Sequence, residues 1–284
     1  MLTPLMLTAV LFSCTKKEIS QEQSLETQLP ESQVASAGLA NFPNIVYLEN
    51  FEGPSAFASY VNDQTATSYG IARVTSPVFQ GSAAGRFEIR DTDPEASGGT
   101  RSEVLFPEQT SLNRWYAFAV YFPSDQYKYD ETDETICQWH QEGGTSASIS
   151  LRTKNDRLVL SVIPSYKGTS QKYDVGAVTK DAWNTVILHV NHSPDSDGLI
   201  ELWVNGQKVA ERTGDNMYSL SNSGVVTPRW KLGVYKSKWN GSNTTATSER
   251  VLYVDNVILG NEHATYEEIA SVLASGSDTT GSTD

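Results

Sequence analysis

The chain is short of cysteine and of basic residues, and each shortage narrows what it can be. Its 284 residues include only two cysteines, Cys14 and Cys137, too few for the disulfide framework that holds small secreted domains. Lys and Arg number 21 against 34 Asp and Glu, a formal net charge of −13. That balance argues against nucleic acid as the main partner, because phosphate binding leans on Lys and Arg. An anionic ligand of another kind stays open, since a local basic cleft can focus potential on an acidic protein. No internal apolar run approaches the ~20 residues of a membrane helix. The one credible helix is short, near Tyr266 to Leu273. Of the four histidines none has the His or Cys spacing of a zinc site.

What is present begins at the N-terminus. Leu2 to Phe12 is almost wholly apolar and runs into Ser13-Cys14, then Thr15-Lys16-Lys17-Glu18. This suits a signal-peptide core, and a small residue before Cys is similar to the bacterial lipobox, whose Cys is lipidated. No Lys or Arg precedes the run, which departs from the pattern. An ordinary signal peptide with a chance Cys is the alternative. The expectation is a bacterial lipoprotein, signal 1–14 with lipidation at Cys14, held in the outer membrane or at the cell surface by its lipid, or else secreted. Residues 15–42, rich in Ser, Gln, Glu and Thr, read as a disordered tether, and 271–284 as a flexible tail. Between them, 43–270 reads as one domain, expected to be monomeric.

That domain reads as strands. Arg114–Phe122, Leu158–Ile163, Thr185–Val190, Leu199–Val204 and Val251–Leu259 are β-branched and aromatic at strand length. Asn205-Gly206 marks a tight hairpin before Gln207-Lys208-Val209-Ala210. Many strands with almost no helix predict an all-β sandwich or jelly roll of two antiparallel sheets. Cys137, left without a partner, reads as a small buried apolar residue.

Three segments carry chemistry. In Thr100-Arg101-Ser102-Glu103-Val104, strand alternation puts Arg101 and Glu103 on one face. In Ile136-Cys137-Gln138-Trp139-His140-Gln141 it puts Gln138, His140 and Ile136 together. In Trp230 to Trp239, Lys231, Gly233 and Tyr235 share a face, with Lys236, Lys238 and Trp239 beyond. Taken singly, each has a plain reading as solvent face, structural histidine or packing aromatic.

Together, in order and local pattern, they resemble the signature segments of jelly-roll alginate lyases: Arg-Ser/Thr-Glu, Gln-x-His and Lys-x-Gly-x-Tyr. The layout from Trp183 through Asp197-Gly198 and Asn205-Gly206 to Tyr235 and Asp255-Asn256 is similar to the glucuronan, heparin and ulvan lyases of the same sandwich. The resemblance covers about residues 45 to 265. It implies a concave groove in which an acidic, uronate-containing polysaccharide is cut endo-wise by β-elimination. Arg101 and Gln138 would neutralise the uronate carboxylate, so that charge spreads once the C5 proton leaves. His140 or Tyr235 would take that proton, and Tyr235 would serve as acid to the departing oxygen. Glu103, Arg229, Lys231, Lys236, Lys238 and Trp239 are the expected substrate-binding residues, although lysines also decorate solvated edges. Ulvan is the favoured polymer, on the lysines near Tyr235, ahead of glucuronan, alginate and heparin-like chains.

Two rivals stand beside this reading. A sandwich-fold glycoside hydrolase needs paired carboxylates, and Asp130-Glu131-Thr132-Asp133-Glu134 lacks the alternation they take on one strand. A non-catalytic carbohydrate-binding module would not need Arg101, Gln138, His140 and Tyr235 to converge. No catalytic cofactor is expected. Glu52 and Asp255 are candidate ligands for a structural Ca²⁺, which asks only for hard oxygen donors.

Overall fold

The computed structural model describes residues 41–141, 146–218 and 226–275. Cys14, the signal segment and nearly all of the tether lie outside the described residues. Two antiparallel sheets make a jelly-roll sandwich. The first contains β1 (Ile45–Glu49), β3 (Ile71–Val74), β4 (Ala84–Arg90) and β6 (Asn113–Tyr121). It continues with β11 (Trp183–Asn191), β12 (Leu199–Val204), β13 (Gln207–Thr213) and β15 (Glu249–Gly260). Its spatial order is β13-β12-β11-β6-β15-β4-β3, and β1 also pairs with β15.

The second sheet contains β2 (Asn62–Thr65), β5 (Arg101–Leu105), β7 (Glu134–His140) and β8 (Ile149–Lys154). With them are β9 (Arg157–Val162), β10 (Gln171–Ala177) and β14 (Arg229–Tyr235), in the order β10-β9-β8-β7-β14-β5-β2. The three chemistry-bearing segments, far apart in sequence, are thus adjacent strands β5, β14 and β7.

Alternation explains the core. Val104, Cys137, Trp139, Leu151, Leu160, Leu232 and Val234 point inward from the second sheet and meet Phe87, Phe118, Val120, Val186, Leu188 and Val254 from the first. Cys137 is a free, fully buried thiol, and the Trp230 indole donates to its sulfur. The outer face of the first sheet is capped by α1 (Tyr266–Ser275), whose Ile269, Val272 and Leu273 pack on Trp115, Ala117, Ile187 and Ile258. The helix carries buried residues past the expected domain boundary at 270. The outer face of the second sheet is where the polar residues gather.

Three sequence expectations meet geometry here. Asn205 and Gly206 have φ of 50° and 78°, the positive pair that a type I′ hairpin requires. Ile136 does not share a face with Gln138 and His140. A bulge between Thr135 and Cys137 breaks the alternation, and Ile136 joins the core cluster.

The carboxylates of Glu52 and Asp255, the candidate calcium ligands, are each held by donors of the chain itself. Asp255 accepts from the backbone N–H groups of Phe79, Gln80 and Asn256. Glu52 accepts from Ser82 N–H, Ser82 Oγ and Ala83 N–H. Both are turned to clamp the 79–83 loop with amide donors, and among the described residues no cluster of three or more His, Cys, Asp or Glu could hold a metal.

Candidate active site

The site is built on the outward face of β5, β14 and β7. Register pairs Tyr235 with Arg101, Gly233 with Glu103 and Lys231 with Leu105 across one edge of β14. Across the other edge it pairs Tyr235 with Thr135, Lys231 with Gln138 and Arg229 with His140. Antiparallel pairing over a common face therefore places Arg101, Glu103, Gln138, His140, Arg229, Lys231 and Tyr235 on one surface. The face is polar yet sheltered: Arg101 is 8% exposed, Gln138 4%, Lys231 7% and Glu103 0%.

Glu103 organises the centre. One carboxylate oxygen accepts from Arg101 Nη1 at 2.8 Å, and the other accepts from Gln138 Nε2. The Arg101 guanidinium lies over the Tyr235 ring, 4.0 Å from its centroid, a cation–π contact that fixes both groups. Lys231 sits beside them. Burial depresses its ammonium below the ordinary value, Glu103 pulls it back up, and Arg101 and Arg229 push it down. Arg101, Arg229 and Lys231 against Glu103 leave this patch locally positive on an acidic protein.

The glycines of the third and first segments are structural requirements. Gly233 has φ of 137°, and a Cβ there would strike the Ser102 carbonyl. It lets β14 close on β5. At Gly99 a Cβ would fall 2.6 Å from the Tyr235 ring and 2.9 Å from Arg101 Nη2, so that residue must be bare for the stack to form.

His140 shares the face but not the cluster. At a rise of ~3.3 Å per residue, it stands roughly 13–17 Å along the sheet from the Thr135–Tyr235 pair. Gln138, Lys231 and Glu103 lie between. The Nε of Arg101, the Oγ1 of Thr135 and the Oε1 of Gln64, on or beside this stretch, are buried without a hydrogen-bond partner among the described residues.

Four expected substrate-binding residues are placed differently. Glu103 is wholly buried beneath Arg101 and Gln138 and orients them. Lys236 is also wholly buried, 2.7 Å from Glu134 and 3.4 Å from Asp130, because the register shift between Leu232 and Tyr235 and the turn after β14 carry it inward. Arg250 completes this four-charge network through Glu134. Trp239 is 0% exposed, and its indole N–H donates to Thr245 Oγ1, so it cannot stack on a sugar. Lys238 is exposed on the short 3₁₀ turn Ser237–Trp239 and lines a separate cavity of about 380 Å³ with Asp130, Thr132 and Thr245.

No motif along the chain pointed to Gly99, Thr135 or Asn240. The Nδ2 of Asn240 donates to the Tyr235 hydroxyl oxygen at 3.3 Å. Only the turn after β14 brings it there. His189 and His192 are structural. His189 stacks on Trp115 and bridges Glu201 and Asn113. His192 is buried, and burial drives its pKa down to about 3.

The all-β sandwich thus carries a sheltered, locally basic row of Arg, Gln, Lys and Tyr on one sheet face. A family model described as polysaccharide lyase matches residues 53–258, and the chain belongs to that family. This places it among enzymes, apart from the binding-module and hydrolase readings. Among solved structures it is similar to an endo-β-1,4-glucuronan lyase from the fungus Trichoderma reesei, with 20% identity and a TM-score of 0.62, over 79% of this chain and 98% of that one. It is also similar in fold to the binding domain of botulinum neurotoxin DC, with 10% identity and a TM-score of 0.53, over 81% of this chain and 51% of that one. A family 7 alginate lyase, A1-II′, aligns at 11% identity with a TM-score of 0.47, over 72% of this chain and 84% of that one. No curated protein matched the sequence.

Proposed function

We propose that this polysaccharide lyase cuts a uronate polymer internally, with the reacting uronate seated over Arg101, Gln138 and Tyr235. The observation that carries the reading is Glu103 holding Arg101 and Gln138 side by side while Tyr235 stacks on Arg101. Charge and amide donation from Arg101 and Gln138, with Lys231 beside them, neutralise the uronate carboxylate. The C5 proton then becomes acidic enough to remove. Tyr235 as phenolate takes that proton, the electron pair left behind forms the C4–C5 double bond as the C4–O bond breaks, and Tyr235 passes the proton on to the departing oxygen. His140, roughly 13–17 Å along the face, is too far for that proton and serves the polymer at a neighbouring sugar.

The lysine surplus that favours ulvan shrinks in the structure, because Lys236 is buried and Lys238 faces another cavity. A glucuronan-type homopolymer therefore comes first and ulvan second. The solved glucuronan lyase supports this order through fold alone. The Leu2–Phe12 run and Cys14 support display on the bacterial surface as a lipoprotein, with the substrate met outside the cell.

Ultraviolet absorbance of the unsaturated product tests the reading, with wild type, His140→Ala and Tyr235→Phe on glucuronan, ulvan, alginate and heparin. A rise on one polymer that is lost in Tyr235→Phe supports it and names the substrate. New reducing ends without the absorbance, or full activity in Tyr235→Phe, would overturn it.

A further inference from the structure

We propose that Asn240 is a positioning residue that turns the Tyr235 proton toward the reacting sugar, an inference that rests on the acid role of Tyr235 above. Side-chain amides can face either way, but here the surroundings fix the direction. The Thr100 backbone N–H donates to Asn240 Oδ1 at 2.9 Å, so the amide oxygen is the end committed to β5's approach. The nitrogen is then the end left for Tyr235, and it donates to the hydroxyl oxygen at 3.3 Å.

This polarity has a chemical consequence. A phenol whose oxygen accepts from an amide cannot give its own proton back to that amide. The O–H is therefore free to point along the open face, and the same donor stabilises the phenolate left after proton transfer. Had the amide stood the other way, its oxygen would take the Tyr235 proton and hold it away from the sugar. Arg101 adds a second positive influence on the ring face, 4.0 Å from the centroid.

The delivery of Asn240 explains two residues that do not reach the substrate. Asn240 closes the 3₁₀ turn Ser237–Trp239, with its N–H donating to the Ser237 carbonyl. At the start of that turn the Lys236 ammonium is locked to Glu134 at 2.7 Å, and at its end the Trp239 indole is locked to Thr245 at 3.0 Å. Both side chains are fully buried. The next residue, Gly241, donates its N–H to Glu95 at 2.8 Å. The turn is thereby anchored on both sides of the amide.

Asn240→Asp separates this role from simple scaffolding. The carboxylate keeps an oxygen for the Thr100 N–H but presents an acceptor to Tyr235 in place of a donor. Steady-state kinetics on the wild-type substrate is expected to show kcat down roughly 10- to 100-fold in Asn240→Asp, with KM within about twofold. Asn240→Ala is expected to fall less than Asn240→Asp, since it removes the donor without sequestering the proton. Circular dichroism and thermal melting check that both variants fold. A scaffolding role predicts the reverse order, with Asn240→Asp near wild type and Asn240→Ala impaired, and that outcome would overturn the proposal. The underlying reading fails separately: if wild type gives no unsaturated product, or Tyr235→Phe is fully active, Tyr235 is not the acid, and the Asn240 variants are not needed to show it.

Discussion

The Arg101 guanidinium carbon sits over the Tyr235 ring, 4.0 Å from its centroid, while its Nη1 donates to Glu103 at 2.8 Å. A single cationic group is thus held by an aromatic ring and by a carboxylate at once. Lysine cannot reproduce either contact, because its ammonium is a point charge without a plane or fork. Arg101→Lys is expected to lower kcat/KM about 100-fold, a loss of about 2.7 kcal/mol in transition-state stabilisation, with little change in fold. Product absorbance and a melting curve check both halves.

Gly99 makes room for that stack. A Cβ would sit 2.6 Å from Tyr235 and 2.9 Å from Arg101 Nη2, and both are side-chain atoms that can shift. Gly99→Ala should therefore fold, at a cost of about 1–3 kcal/mol, and lose activity by displacing Tyr235. A variant with normal kcat would show that the ring position is not critical.

The buried quartet of Lys236, Arg250, Asp130 and Glu134 predicts a stability defect where the sequence pointed to a binding one. Burial opposes the Asp130 charge, but hydrogen bonds from Thr245, Thr247 and Thr132 outweigh it and hold the carboxyl well below its usual range. Glu134→Gln leaves Lys236 and Arg250 in excess and is expected to cost about 3–5 kcal/mol. Denaturant unfolding measures that loss. A Lys236→Met variant that keeps its stability and instead raises KM would restore Lys236 as a substrate ligand.

Two carboxyls at the β1–β15 edge make stability depend on pH. Burial, chiefly, pushes Glu49 up to about 7 and Asp255 up to about 6, with the Asp255 charge adding to the rise at Glu49 and the Glu52 charge to that at Asp255. Unfolded carboxyls titrate near ~4. A folded value above the unfolded one means that the native state holds the proton more tightly. The contribution is fully present below about pH 4 and is lost as pH rises through about 6 to 7, at no more than about 1.4 kcal/mol per pH unit for one proton. Glu49→Gln should unfold like wild type near pH 4 and be more stable than wild type at pH 8. Urea midpoints at the two pH values decide it, and an unchanged difference between the proteins would reject the assignment.

Strand by strand, much of this was legible along the chain. Leu199–Val204 is a strand with those limits, and Asn205-Gly206 turns the hairpin. The Arg101-Ser102-Glu103 and Lys231-x-Gly233-x-Tyr235 alternations put the right residues on one face. Period-two alternation is a local property, so the residues themselves carry it. It failed at Ile136, where a bulge inserts one residue, and beyond Tyr235, where the strand ends and Lys236 and Trp239 turn inward.

Sequence by itself determined the all-β class, the inward set of apolar residues and which side chains share the polar face, because backbone geometry fixes side-chain direction within a strand. Tertiary structure alone decided that Glu103 is a buried brace, that Glu52 and Asp255 clamp a loop, that His140 stands apart from Tyr235, and that Asn240 meets the Tyr235 hydroxyl. Each of those depends on register between strands distant in sequence or on the path of a turn. Such relationships are set by the packing of the whole sandwich, and no short stretch of residues encodes them.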